Sequence, residues 1–195
     1  MSKLLLVSGS PRRRELLTMI AIPFDVFNAD IEEVRQPGES PGAYAGRLAR
    51  EKALAGIARL GKSRPALGAD TIVVLDGDIL EKPQDRADAR TMLARLSGAT
   101  HQVYSAVCVV CTNGEILEAL NVSQVTMGVI PESWIDAYAQ MDEPMDKAGA
   151  YAIQGVAAQW VAHIEGSYSG VMGLPVYETG ELLRQAGVKA SSPAV

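Results

Sequence analysis

Cysteine and histidine are scarce in this chain, with two of each among 195 residues. Cys108 and Cys111 share one apolar run, no second cysteine pair exists, and two histidines cannot complete a zinc site in its place. Three positions apart on a strand, the two cysteines face opposite sides, so a disulfide is not expected either. They are expected to be packing residues in a reducing cytoplasm. Positive charge is not in excess: the net charge is −5. No stripe of alternating aromatic and basic residues is present. Both facts argue against a protein whose main task is gripping nucleic acid. No apolar run reaches transmembrane length. The N-terminal run is short and polar glycine-turn chemistry follows it at once, so no signal peptide is expected. No internal repeat and no long linker divides the chain. Neither the Walker A nor the dinucleotide-binding glycine pattern occurs.

What is present is an ordinary globular composition, 48% apolar and 21% charged, in a length that suits one domain or two small lobes. The most informative stretch is the first. Leu4-Leu5-Leu6-Val7 reads as a buried strand, and Gly9 permits a tight turn. Ser10 suits an N-cap and Pro11 the first helical position, which predicts a helix from Pro11 to about Ile20. Arg12, Arg13 and Arg14 then fill the first turn, against the helix dipole. A bound phosphate would account for them; a solvated basic turn is the plain alternative.

Further along, Phe24 to Asn28 reads as a strand and 30–41 as an acidic loop holding Asp30, Glu32, Glu33 and Glu39. Ser40 caps a helix from Pro41 to about Leu60, ended by Gly61. Lys52 shares one face of that helix with Ala45, Leu48 and Ala49, a spacing that favours a snorkelling lysine over one aimed into a polar cleft. Ala66 to Asp76 is the most strand-like stretch, with Asp70 ahead of the apolar run Ile72 to Leu75. A carboxylate there is costly unless a lysine, an arginine or a metal pairs with it, or unless it caps a turn near Gly68. Asp76-Gly77 marks a hairpin whose return runs from Ile79 to Lys82 and stops at Pro83. Asp85 to Leu96 is a helix. His101 to Cys111 and Ile116 to Thr126 form a long hairpin about Asn113-Gly114. Pro131 to Met141 is a helix, Trp160 to Ile164 a strand, and Leu174-Pro175 opens a last helix to about Gln185, before a frayed tail from Lys189. His101, His163, Trp134 and Trp160 read as packing or edge residues. Alternating strands and helices around one antiparallel hairpin predict an α/β fold with a mixed sheet.

Taken in order, several segments resemble the Maf-like nucleoside triphosphate pyrophosphatases. They are Ser8-Gly9-Ser10-Pro11-Arg12-Arg13, Ile31-Glu32-Glu33, Arg50-Glu51-Lys52-Ala53, Gly68-Ala69-Asp70-Thr71 and Glu81-Lys82-Pro83. The series continues with Asp146-Lys147-Ala148-Gly149-Ala150-Tyr151, Ile153-Gln154-Gly155, Gly166-Ser167-Tyr168 and Gly173-Leu174-Pro175. Each motif alone is weak, but the ordered set is specific and spans nearly the whole chain. Arg12, Thr71 and Gln154 match the branch that acts on dTTP and UTP, and the resemblance makes them base-recognition residues. Ala152 departs from the family, which usually has glycine there. The resemblance implies one domain over 1–195 with two lobes around a cleft, like the inosine triphosphate pyrophosphatases, and often a homodimer.

The implied reaction is house-cleaning hydrolysis between the α- and β-phosphates, giving a monophosphate and pyrophosphate. It needs positioning, charge neutralisation and an activated water. Ser8, Ser10, Arg13, Lys52 and Lys82 are the expected phosphate-binding residues. Asp70 is the expected proton acceptor, and Glu33 with Asp70 the expected ligands of a divalent cation, magnesium first and manganese or cobalt in its place. Glu32 is taken as solvated. Gln154 carries donors and an acceptor that match a pyrimidine edge. The resemblance permits modified pyrimidine nucleotides as substrates. A purine-specific pyrophosphatase and a nucleotide-binding regulator of septum formation without turnover are the rival readings.

Overall fold

The computed structural model describes residues 3–191. The chain runs through β1 (Leu4–Val7), α1 (Pro11–Met19), β2 (Phe24–Phe27), α2 (Pro41–Leu60), β3 (Ala66–Leu75), β4 (Asp78–Leu80), α3 (Arg86–Leu96), β5 (Thr100–Val110) and β6 (Ile116–Met127). It continues through α4 (Glu132–Ala139), three short 3-10 segments, β7 (Val161–Glu165), α5 (Tyr168–Met172) and α6 (Val176–Gln185).

The strands are hydrogen-bonded in the order β2-β1-β3-β5-β6-β7, with β4 on β3. β1 is parallel to both β2 and β3, whereas β3–β4 and β6–β7 are antiparallel. The sheet is therefore mixed, as the alternation of elements predicts. Both turns foreseen from dipeptides are present. Asp76 and Gly77 take φ of 53° and 86°, the left-handed pair that a two-residue hairpin turn demands, and Leu75 faces Asp78 across it. Beyond β5, Cys111 N–H donates to the Glu115 carbonyl and Gly114 N–H to that of Cys111.

The described residues form two compact units. The first gathers residues up to Asp70, Ser105–Asn121 and the segment from Gly173 on; the second holds Thr71–Tyr104 and Val122–Met172. In the first unit two glycines let α2 lie close on the sheet. A Cβ on Gly56 would meet Val7 Cγ2 at 2.4 Å, and one on Gly68 would meet the Ala49 carbonyl oxygen at 2.2 Å and Ala53 N at 2.6 Å. Leu4, Leu5, Leu6, Leu48 and Leu67 are buried in the same unit. The second unit has its own apolar core, in which α3 and α4 contribute Leu93, Leu96, Ile135 and Tyr138 against Val73, Leu75, Val103 and Val125.

Several boundaries differ from the sequence reading. β4 ends at Leu80, so Lys82 stands past the strand rather than at its end. Pro131 is the N-cap of α4, not its first residue, and α4 stops at Ala139. Asp85 caps α3 by accepting from Asp88 N–H. The segment punctuated by Gly166, Gly170 and Gly173 contains α5, which glycine content concealed. Positions 192–195 of the tail lie outside the described residues.

Candidate active site

Three sequence-distant residues of the first unit meet at one nitrogen. Lys52 Nζ lies 2.6 Å from Asp70 Oδ1 and 2.6 Å from Glu33 Oε1. Lys52 and Asp70 are both buried, at 9% and 7% exposure, whereas Glu33 is exposed. The snorkelling expectation for Lys52 is thus overturned. Periodicity registered only its neighbours on α2. The absence of a side chain at Gly68 brings the lysine's turn of α2 against β3, where a Cβ would be 3.0 Å from Lys52 Cβ. Asp70 lies within β3, not at its head, and serves no turn. Its burial is tolerable because the ammonium is its partner.

Glu33 is not left to chance on its loop. The buried Tyr44 hydroxyl donates to the Glu33 carbonyl at 3.0 Å. Arg47 donates to the Val34 carbonyl at 2.8 Å and to both Glu39 oxygens at 2.8 and 3.0 Å, with its guanidinium 5.5 Å from the Tyr44 ring centroid. The bond to Glu39 raises the Arg47 pKa further above its ordinary range, so the clasp stays charged. Sequence reasoning missed both residues. The i,i+4 pair Arg47–Glu51 was the available signal.

The first turn supplies a second cluster. Ser8 is buried at the end of β1, and its Oγ accepts from Ser10 N–H at 3.1 Å and from Arg13 Nη1 at 3.2 Å. Arg13 Nε donates to the Gly173 carbonyl at 2.9 Å. Burial lowers the Arg13 pKa from its ordinary value, and the nearby Asp70 and Glu33 carboxylates act in the opposite sense. Ser10 is the N-cap of α1, as expected, with the extended backbone a cap requires, but its side chain makes no capping bond. Arg12 is half-buried and Arg14 exposed.

Thr71, Lys82 and Gln154 belong to the second unit. Thr71 follows Asp70 in β3 and is half-buried. Lys82 and Gln154 are exposed. Gly149 N–H donates to the Glu81 carbonyl at 3.2 Å, which ties the segment before Lys82 to the one before Gln154. Ala152, the departure from the family glycine, is buried without a left-handed backbone, so its methyl fits. Among the described residues, no group of three or more His, Cys, Asp or Glu side chains is gathered as a metal cage. Glu33 and Asp70 are a two-carboxylate set. That set suits a hard cation which keeps waters and takes its other ligands from phosphate oxygens.

These features define an α/β protein with a buried lysine–carboxylate cluster on a central strand, beside a serine- and arginine-lined helix start. Residues 3–186 match the family described as Maf-like protein, and the chain belongs to that family. It is 51% identical over 183 residues to the dTTP/UTP pyrophosphatase of Escherichia coli (strain K12), covering 94% of this chain and 92% of that protein. It is 49% identical over 184 residues to the dTTP/UTP pyrophosphatase of Vibrio cholerae serotype O1, covering 94% and 98%. A solved dITP/XTP pyrophosphatase from Mycobacterium abscessus aligns over 94% of each chain with 17% identity and a TM-score of 0.49. Among the described residues, no helix is long and apolar enough to cross a membrane.

Proposed function

We propose that this protein is a nucleoside triphosphate pyrophosphatase that hydrolyses dTTP and UTP to the monophosphate and pyrophosphate in the cytoplasm. The observation that carries the reading is the buried Lys52 held 2.6 Å from both Asp70 and Glu33, in a chain about half identical to relatives named for that activity. Asp70 is the base: it accepts a proton from the attacking water while the bond between the α- and β-phosphates breaks. Lys52 pairs with Asp70 in the resting site and is available to a phosphate oxygen as charge arrives. With two donors aimed at its oxygen, Ser8 keeps its hydroxyl proton to give to phosphate. Ser10 likewise has a hydroxyl not spent on the helix cap. Arg13 and Lys82 supply further positive charge, and Arg12, Thr71 and Gln154 read the pyrimidine. Glu33 and Asp70 would hold a divalent cation, magnesium first, which when bound screens phosphate charge.

The test is pyrophosphate release from dTTP, UTP, CTP, GTP, 7-methyl-GTP and ITP, with and without magnesium. Metal-dependent release favouring dTTP and UTP is the expected result. Release from purines alone would refute the base assignment. Binding without release from any nucleotide would refute the enzyme and favour a regulator.

A further inference from the structure

Gln154 sits on a segment whose backbone is strained. Gly149 and Ala150 are both left-handed, at φ 71° and 59°, and a left-handed alanine persists only where its surroundings fix it. A Cβ at Gly149 would crowd Val73, at 3.1 Å from its Cγ1. The next residue, Tyr151, points into the core of the second unit, and its hydroxyl is 2.8 Å from His101 Nε2, with the two rings edge to face at 5.4 Å. His101 is 1% exposed and sits on β5, fifty positions from Tyr151. Burial pushes the imidazole pKa down to about 4, so it is neutral at pH 7. Nδ1 finds no hydrogen-bond partner among the described residues. Whichever imidazole nitrogen carries the proton, the pair shares this one hydrogen bond, and the tautomer decides which of the two groups donates. A buried histidine that meets a single partner contributes little as core filling; a leucine would pack there without an orphaned atom.

We infer that His101 is a positioning residue for base selection: through the Tyr151 hydroxyl it fixes the strained segment that presents Gln154. This rests on the pyrimidine-reading role proposed for Gln154. Beneath the same segment, Tyr138 donates to Glu143 Oε1 at 2.7 Å, and Glu143 lies where any Cβ on Gly155 would be, at 2.2 Å. The Tyr138 hydroxyl also accepts from Ala152 N–H at 3.4 Å, so the segment is tied at Ala152 and Gly155 as well as through the Tyr151 hydroxyl.

The test compares wild type with His101→Phe, His101→Gln, Tyr151→Phe and the double variant His101→Phe/Tyr151→Phe. Tyr151→Phe removes one oxygen and keeps the ring, so it preserves the fold even where His101→Phe does not. Two quantities are read: amide hydrogen exchange over 148–155, and the ratio of kcat/KM for UTP to that for GTP. Faster exchange is expected in both single phenylalanine variants, with the ratio reduced about 5- to 10-fold, the range of one lost hydrogen bond. The double variant is expected to be no worse than either single, and His101→Gln to recover part of the loss. Unchanged exchange over 148–155 in Tyr151→Phe overturns the inference. So does an equal fall in kcat/KM for both nucleotides with the ratio intact. Wild-type protein that releases pyrophosphate from no nucleotide refutes the proposed function instead, and the exchange data then decide the role of His101 alone.

Discussion

Adding one methyl group at Gly68 should damage fold and activity together. Its Cβ would stand 2.2 Å from the Ala49 carbonyl oxygen and 2.6 Å from Ala53 N, where ordinary contact begins at 3.4 Å. Both neighbours are backbone atoms of α2, so no side chain can swing aside. Relief requires the helix to retreat from β3 by about 1 Å, since packed interiors have no spare volume to absorb the group. Overpacking against backbone lies at the upper end of its usual range, about 3 kcal/mol. For a chain of this size that lowers Tm by roughly 6–12 °C. The same retreat withdraws Lys52 from Asp70, now 2.6 Å apart. A misplacement near 1 Å costs on the order of 100-fold in rate. Urea unfolding and pyrophosphate release measured on Gly68→Ala give both numbers. Gly46→Ala is the control: Gly46 lies on the same helix with nothing within 4 Å of its would-be Cβ. It should stabilise by about 0.5–1 kcal/mol and leave turnover unchanged. A Gly68→Ala protein within 0.5 kcal/mol and threefold of wild type would refute the claim that this glycine sets the helix against the strand.

Four further outcomes are expected. Asp70→Asn should abolish release of pyrophosphate while nucleotide binding persists, since the amide keeps the shape and loses the base; an unchanged kcat removes Asp70 from the chemistry. Gln154→Ala should relax the choice between UTP and GTP more than it slows turnover, as a nucleotide panel would reveal. His101 should make stability pH-dependent: the unfolded chain protonates it near 6.5 and the folded chain only near 4. Stability conferred by the neutral imidazole is thus complete above pH 6.5 and falls through that window by about 3 kcal/mol. Urea midpoints between pH 7 and 4 should fall more steeply for wild type than for His101→Phe. Burial pushes the Cys108 thiol up to about 12 and raises that of Cys111, so a thiol reagent at pH 8 should find neither until urea is added.

What was legible in the sequence was what depends on adjacent residues. The apolar run of β1, the capping serine and proline of α2, and the turns at Asp76-Gly77 and Asn113-Gly114 are local decisions, and the structure matches them. The relation between Lys52, Glu33 and Asp70 is not local. Helical periodicity placed Lys52 among alanines and leucines, the correct face of α2, but could not register that β3 brings a carboxylate to that face. The resemblance to a family set Glu33 beside Asp70 as expected metal ligands and Lys52 as an expected phosphate ligand, and the pairing of Lys52 with both carboxylates emerges only in the fold. His101 was passed over for a related reason. Its partner lies fifty positions away, and a single histidine in an apolar strand looks the same whether it fills space or holds a loop.

The charges of the first unit carry one more consequence. Lys52 pairs with Glu33 and Asp70, and Arg13 feels Asp70, Arg12 and Glu33, so three basic side chains stand with two acidic ones. The two carboxylates therefore offset most of the positive charge that would attract a polyphosphate. Removing Lys52 from this balance leaves the buried Asp70 without its closest partner, an arrangement that costs about 3–5 kcal/mol in comparable interiors. A triphosphate drawing Lys52 toward itself would impose part of that cost on the two carboxylates. A divalent cation held between Glu33 and Asp70 would relieve it, since it restores positive charge where the ammonium was. The proposed reaction therefore predicts that magnesium and nucleotide bind with positive coupling, each tightening the other by the same factor. Lys52→Met should tighten magnesium binding in the absence of nucleotide, because the competing ammonium is gone, while nearly abolishing turnover. Calorimetric titration of magnesium into wild type and Lys52→Met, with and without a non-hydrolysable UTP analogue, measures both terms. Equal magnesium affinity in the two nucleotide-free proteins would show that lysine and cation do not compete for the same two carboxylates.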